Sequence, residues 1–272
     1  MALLGGTVGY RFLRWVSPNG EHRNCDGSAY HNCSKIEKLL TQNIWNVLRN
    51  KVVIDFGCGR GGNTIEIAQH GAAKVIGVDL RESELIKARI AAQKNDLEDR
   101  CLFVTKTGEQ ADFVITVDAF EHFDDPAGVL KMMRGLLKKD GKVFAVFGPT
   151  WYHPYGGHLF SVFPWAHLVF TEKALLRWRS DFKTDGATHF REVEGGLNQM
   201  TIRRFEQIVA DSDFRMEELE LVPIRGRKWL RNRFTREFTT AVVRTILAPR
   251  NVMCMFVFIG TGSRRLVNIL FS

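Results

Sequence analysis

Short apolar runs alternate with helix-patterned stretches through the middle of the chain. Val52-Val53-Ile54-Asp55-Phe56 and Lys74-Val75-Ile76-Gly77-Val78-Asp79 read as strands, and Asn63 to His70 between them has helical spacing. A helix over roughly 82–95 follows, then strands at Leu102-Phe103-Val104, Phe113 to Val117 and Val143 to Phe147. Pro126 opens a helix between the last two. This alternation predicts an α/β fold, a Rossmann-like, mostly parallel seven-stranded sheet with helices on both faces and right-handed crossovers.

Other segments lie outside that rhythm. Ser34 to Leu48 has amphipathic spacing (Ile36, Leu39, Leu40, Ile44, Val47, Leu48) with Ser34 as N-cap, and predicts a helix ahead of the first strand. Trp151 to Asn198 breaks the alternation with mixed aromatic, histidine and glycine content. A helix at 201–211, a strand at 217–222 and a basic helix from Arg227 to Leu247 follow. Val252 to Ile259 then closes the sheet as an antiparallel last strand.

Composition narrows the class. With 272 residues, 45% hydrophobic, 25% charged and 24 Gly against 7 Pro, the chain is globular, which excludes collagen-like, disordered and disulfide-scaffold classes. The net charge of +8 is a modest bias towards acidic partners, too weak to imply a specific nucleic acid. Cys25, Cys33, Cys58, Cys101 and Cys254 form an odd, scattered set, with Cys58 and Cys101 in segments that read as buried, so a reducing compartment is expected. Met1 to Val16 has no basic stretch ahead of its apolar residues, and no run reaches the roughly 18 apolar residues of a membrane span. The expected location is cytoplasmic.

The chemistry centres on Asp55-Phe56-Gly57-Cys58-Gly59-Arg60-Gly61-Gly62, between a strand and a helix, where glycines permit a tight turn and close approach of a ligand. Gly57, Gly59 and Gly62 satisfy G-x-G-x-x-G, and Asp79 sits about where a ribose-binding acid is expected in a dinucleotide fold. Asp55 argues against a dinucleotide, because a carboxylate at that strand end repels a pyrophosphate and suits a cationic ligand.

These motifs resemble class I S-adenosylmethionine-dependent methyltransferases of small-molecule type, over about residues 35–150. Val52 to Gly61 resembles the family's first motif, and Asp79 its ribose-binding acid. Val117-Asp118-Ala119-Phe120-Glu121-His122-Phe123 with Asp125-Pro126 resembles the motif on the methyl-donor side, and Leu136 to Gly141 the turn before the fifth strand, with Lys142 where a second glycine is usual. The resemblance implies S-adenosyl-L-methionine as cofactor, held by Asp55, Gly57, Cys58, Gly59, Asp79, Leu80 and Asp118. The family's acid after the third strand has no clear counterpart, because Val104 runs almost directly into Ala111; Gly108 and Glu109 are the candidates for that adenine contact.

Trp151, Tyr152, Tyr155, Phe160, Phe163, Trp165 and Phe170, with His153, His158 and His167, follow the fifth strand and suit a small planar or apolar acceptor. His158, after two glycines, is the expected general base or acceptor-orienting group, with His122 its rival and Glu121 beside it. The expected layout is an N-terminal lid over 1–50, a cofactor-binding core over 51–150, an acceptor-covering insertion over 151–198, and a C-terminal part of the sheet over 199–272.

The function expected is methyl transfer to an O or N of a small acceptor. A cyclopropane-forming lipid modifier, suggested by Phe120-Glu121-His122-Phe123, and a non-catalytic cofactor-binding module are the alternatives. His22, Cys25, His31 and Cys33 lack zinc-site spacing, so no metal is expected. The run Arg225 to Arg236 reads as a solvated face that allows weak contact with a membrane surface.

Overall fold

The computed structural model describes residues 3–20, 34–40, 43–193, 196–223 and 232–250. The strands are β1 Val52–Phe56, β2 Lys74–Val78, β3 Cys101–Val104, β4 Ala111–Val117, β5 Leu137–Phe147, β6 Phe214–Pro223 and β7 Thr240–Pro249. They form one seven-stranded sheet in the order β3-β2-β1-β4-β5-β7-β6, parallel from β3 to β5, with β7 antiparallel to both neighbours. This is the expected α/β architecture, with strand order reversing between β1 and β4, the crevice where open α/β sheets bind ligands.

The helices are α1 Gly6–Val16, α2 Lys35–Leu39, α3 Ile44–Leu48, α4 Gly62–Gln69, α5 Glu82–Gln93, α6 Pro126–Leu136, α7 Ala166–Val169, α8 Glu172–Arg179, α9 Ile202–Ala210 and α10 Arg236–Thr239. Successive strand residues feed opposite cores. Val53, Val75, Ile115 and Val146 pack with Ile36, Leu48, Ile67 and Leu85. Their neighbours Ile54, Ile76, Val114 and Ala145 pack with Leu130, Met133 and Phe205 on the other face. Burial on both faces is why these strands read as continuous apolar runs.

Three local readings change. The amphipathic stretch 34–48 forms two short helices, α2 and α3, although Ser34 does cap the first, accepting from the Glu37 N–H at 2.9 Å. The predicted basic helix 227–247 is not formed across its second half, where β7 lies between β5 and β6. Thr240, Val242, Val243, Thr245 and Ile246 are β-branched and pack on a pleated surface, which outweighs the arginine spacing. The strand expected at 252–259 lies outside the described residues, and the antiparallel strand inside the sheet is β7.

The shortness of the β3–β4 connection dictates its path. It must pass two intervening strands, about 14 Å at the usual spacing, and return the length of β3. Thr105 to Gln110 can span that only when nearly extended, at about 3.3–3.6 Å per residue, so no helix fits between these strands.

Residues 151–198 build a third core of their own, with Phe160, Phe170, Leu175, Trp178 and Phe190 buried together with Leu13 of α1. The first fifty residues therefore divide. Among those described, α1 packs on this satellite core and α2 and α3 pack on the sheet.

Candidate functional site

The turn after β1 is braced against β2. The N–H groups of Gly57 and Cys58 donate to the Val78 carbonyl, and the Gly59 N–H donates to Asp79 Oδ2 at 2.9 Å. Gly57 has φ +84°, and a Cβ there would lie 2.7 Å from Ala119 Cβ, so only glycine lets the turn approach the end of β4 this closely. Cys58 turns its thiol into the core, where burial raises its pKa, so this residue meets the crevice through backbone alone. Cys58 and Cys101 are free, buried thiols, in keeping with their apolar settings; Cys25, Cys33 and Cys254 lie outside the described residues.

Four carboxylates gather at the carboxyl ends of β1, β2 and β4. Asp55 is buried under the turn and accepts from Thr64 Oγ1 of α4 at 2.7 Å; burial lifts its pKa to about 6, against the opposing effect of that hydrogen bond. Its carboxylate thus faces α4, and its charge acts on the crevice from below. Asp79 accepts from the backbone N–H of Arg81 at 2.9 Å and faces the Arg81 guanidinium at 3.2 Å. Leu80, next along, is 90% exposed. Asp118 has φ +50° and is ion-paired with Lys35 of α2. Glu121, in a short 3-10 turn after β4, is buried; its Oε1 accepts from the Gly148 N–H at 3.4 Å and its Oε2 has no partner.

Asp55, Gly57, Cys58, Gly59, Asp79, Leu80, Asp118 and Glu121 are therefore brought to one edge. Glu109 is not. It is ion-paired with Lys74, at the start of β2, at 2.6 Å, which places it and Gly108 beside it near the opposite edge of the sheet. Residues just after β3, beginning with Thr105, lie at the crevice edge instead. Sequence reasoning missed Lys35 and Arg81. Arg81 was signalled by its place two residues after Asp79, whereas nothing local links Lys35 to Asp118.

The acids, the positive-φ glycines and an exposed leucine suit a nucleoside ligand with hydroxyls for Asp79, an apolar ring for Leu80 and positive charge in its tail. A pyrophosphate seated on the glycine turn would lie over the buried Asp55 carboxylate. Among the described residues no group of three His, Cys, Asp or Glu side chains could hold a metal ion; His22, Cys25, His31 and Cys33 fall outside them.

The histidines lie on the β4 and β5 side of the crevice. His122 Nδ1 donates to the Gly196 carbonyl at 2.6 Å, which fixes its tautomer and leaves Nε2 as the basic nitrogen. Its half-buried ring meets that of His158 edge-on, 5.4 Å between centroids. His158 is half-buried too, bonded to the Pro149 carbonyl, and its buried Nε2 has no partner; burial lowers its pKa to about 3. The glycines before it serve packing. A Cβ on Gly157 would strike the His167 ring, and one on Gly156 would lie 2.2 Å from the Thr150 carbonyl oxygen. Asn198 clamps the 3-10 turn, donating from Nδ2 to the carbonyls of Phe120 and Phe123 at 2.8 and 2.9 Å. Of the aromatics expected to line an acceptor site, Phe160 and Phe170 are core residues, whereas Tyr152 and Trp165 keep partial exposure.

Buried ionisable groups set two pH windows. Glu121 has its pKa raised from 4.5 to about 8 by burial and then by Asp118. The folded state retains a proton that the unfolded chain releases, so this contribution to stability is full below the unfolded value and is lost as pH rises through the folded one. Glu121→Gln should flatten the fall in unfolding temperature between about pH 5 and 8. Parallel declines in both proteins would contradict a proton-holding Glu121. His153, His158 and His167 are shifted down by burial to about 4, 3 and 4, so their contribution is present above the ordinary histidine range and lost in acid, a separate window.

The model of the methyltransferase domain family matches residues 27–219, most of the chain and all of the crevice just described. This chain belongs to that family. Over 104 residues it is 38% identical to the ubiquinone biosynthesis O-methyltransferase of Neisseria meningitidis serogroup C, covering 36% of this chain and 44% of the relative. Over 137 residues it is 31% identical to the enzyme of the same name from Idiomarina loihiensis, covering 48% of this chain and 54% of the relative. The chain thus matches about half the length of these curated relatives. A solved structure described as a methyltransferase from Bacillus halodurans superposes with a TM-score of 0.51 at 16% identity, over 79% of this chain and 98% of that one, a likeness of fold. In this methyltransferase domain the acid-rich crevice lies at the β1/β4 switch point of the sheet.

Proposed function

We propose that this methyltransferase domain uses S-adenosylmethionine to methylate an oxygen of a small, aromatic or apolar acceptor. The observation that carries the reading is the crevice itself: a glycine turn with positive φ, tied through Gly59 to Asp79 and bordered by Asp55, Asp118 and Glu121. The oxygen as acceptor atom is supported by the O-methyltransferase names of the partial relatives.

In this reading Asp79 receives the ribose hydroxyls, exposed Leu80 packs on the base, and Gly57 and Gly59 let the backbone approach the ligand. Asp118, with Asp55 beneath the turn, favours a positively charged tail. S-adenosylmethionine, when bound, supplies a methyl group already activated by its sulfonium charge. What remains for the chain is to hold the acceptor in line, exclude water and take a proton from a hydroxyl acceptor. We assign the proton to the His122–His158 pair. Both rings are half-buried; the basic Nε2 of His122 is set by the Nδ1 bond to Gly196, whereas the Nε2 of His158 is buried. Residues 151–198, with Tyr152 and Trp165, form the acceptor cover.

The test is incubation of the protein with S-adenosylmethionine carrying a labelled methyl group and a cell extract, followed by mass spectrometry of labelled small molecules. A labelled methyl ether or ester is the expected product. A folded protein that transfers label only to nitrogen, or forms a cyclopropane, would overturn the oxygen assignment.

A further inference from the structure

Helix α1 is apolar on both sides. Its inner side packs on α8, with Gly9 and Leu13 buried and the Trp178 indole N–H donating to the Ser17 carbonyl at 2.9 Å. Its outer side carries Val8 and Trp15, 72% and 77% exposed, with exposed Phe12 between them and Leu3 ahead of the helix. Val8, Phe12 and Trp15 are spaced i, i+4, i+7 and form one ridge along the helix. Phe12 stacks on Phe170 at 5.8 Å, so the ridge is fixed to the satellite core.

We propose that this ridge docks on the surface of an anionic membrane, with α1 lying in the plane of the interface. The charge of the segment selects that occupant. The first twenty residues contain no Asp or Glu, Arg11 is exposed on the flank of the ridge beside Trp15, and the whole chain carries +8. Tryptophan and phenylalanine on one side of a short basic helix match the boundary between headgroups and acyl chains, and arginine meets the anionic phosphates. A second copy fits less well, because a two-fold pairing of the ridges would bring the exposed Arg11 of one copy towards that of the other, with no acid on either segment to offset them. Among the described residues no helix is long and apolar enough to cross a membrane, so the contact is one of surface docking. The inference goes beyond the methyl-transfer reading and does not rest on it.

The experiment is flotation of the full chain with phosphatidylcholine vesicles, with and without about 30% phosphatidylglycerol. The chain should float with the anionic vesicles and much less with the neutral ones. Val8→Ser with Trp15→Ser should reduce the bound fraction about tenfold, and Arg11→Glu should reduce it in a salt-dependent way. Both positions are exposed, and an unchanged unfolding temperature establishes that the variants are folded. Equal binding by the wild type and the double variant, or no binding by either, would overturn the proposal. A dimer of the wild type that the double variant abolishes, without vesicle binding, would also overturn it by giving the ridge to a second copy.

Discussion

Asp79→Ala should weaken binding of S-adenosylmethionine by about 10² to 10⁴-fold, since two charge-assisted hydrogen bonds to ribose hydroxyls are worth roughly 1.5–3 kcal/mol each and about 1.4 kcal/mol is tenfold. The loss has two physical parts. Asp79 is proposed to hold the ribose, and it also accepts from the Gly59 N–H, so its removal unties the glycine turn from β2. Asp79→Asn separates the two, because an amide oxygen can still accept from Gly59 without the charge, and its loss should be intermediate. Calorimetric titration on variants that keep their unfolding temperature checks both values. Unchanged affinity in Asp79→Ala would remove the ribose assignment.

The second large effect concerns proton transfer. A positioned base contributes about 10² to 10⁴ in rate, so His122→Ala should lower kcat by at least the lower bound while cofactor affinity holds. His158→Ala should lower kcat through the position of His122, whose ring it meets edge-on, and should also reduce stability because it removes a half-buried ring from a packed site. Parallel turnover measurements on the identified acceptor, with the pH profile of each variant, decide between the two. Near-wild-type rates in both would show that the acceptor needs no histidine. A large loss confined to His158→Ala, in folded protein, would transfer the role to His158.

How much of this was legible in the sequence depended on whether the signal was local. Val52 to Phe56 and Lys74 to Val78 are apolar runs beside a glycine turn, and both the strands and the crevice followed from them, because strands buried on both faces declare themselves in consecutive residues. β7 did not. The arginines between 225 and 236 extend a helix-like pattern into Thr240–Pro249, and only pairing with β5 and β6 shows why its β-branched residues win. The aromatics after β5 were visible as composition, yet composition cannot separate a lining residue from a core residue, and Phe160 and Phe170 proved to be core. The place of Glu109 just after β3 in the sequence suggests an adenine contact, whereas its ion pair with Lys74 is set by an extended connection that returns to the other edge. The Lys35–Asp118 pair joins residues far apart in sequence through the packing of α2 on the sheet, and no local pattern encodes it.

The most direct measurement of the central claim is a calorimetric titration of the full chain with S-adenosylmethionine and, separately, with NAD. The crevice geometry predicts saturable binding of S-adenosylmethionine and none of NAD, because the Asp55 carboxylate buried beneath the glycine turn would lie under the NAD pyrophosphate. Binding of NAD without S-adenosylmethionine, or no binding of S-adenosylmethionine by folded protein, would contradict it.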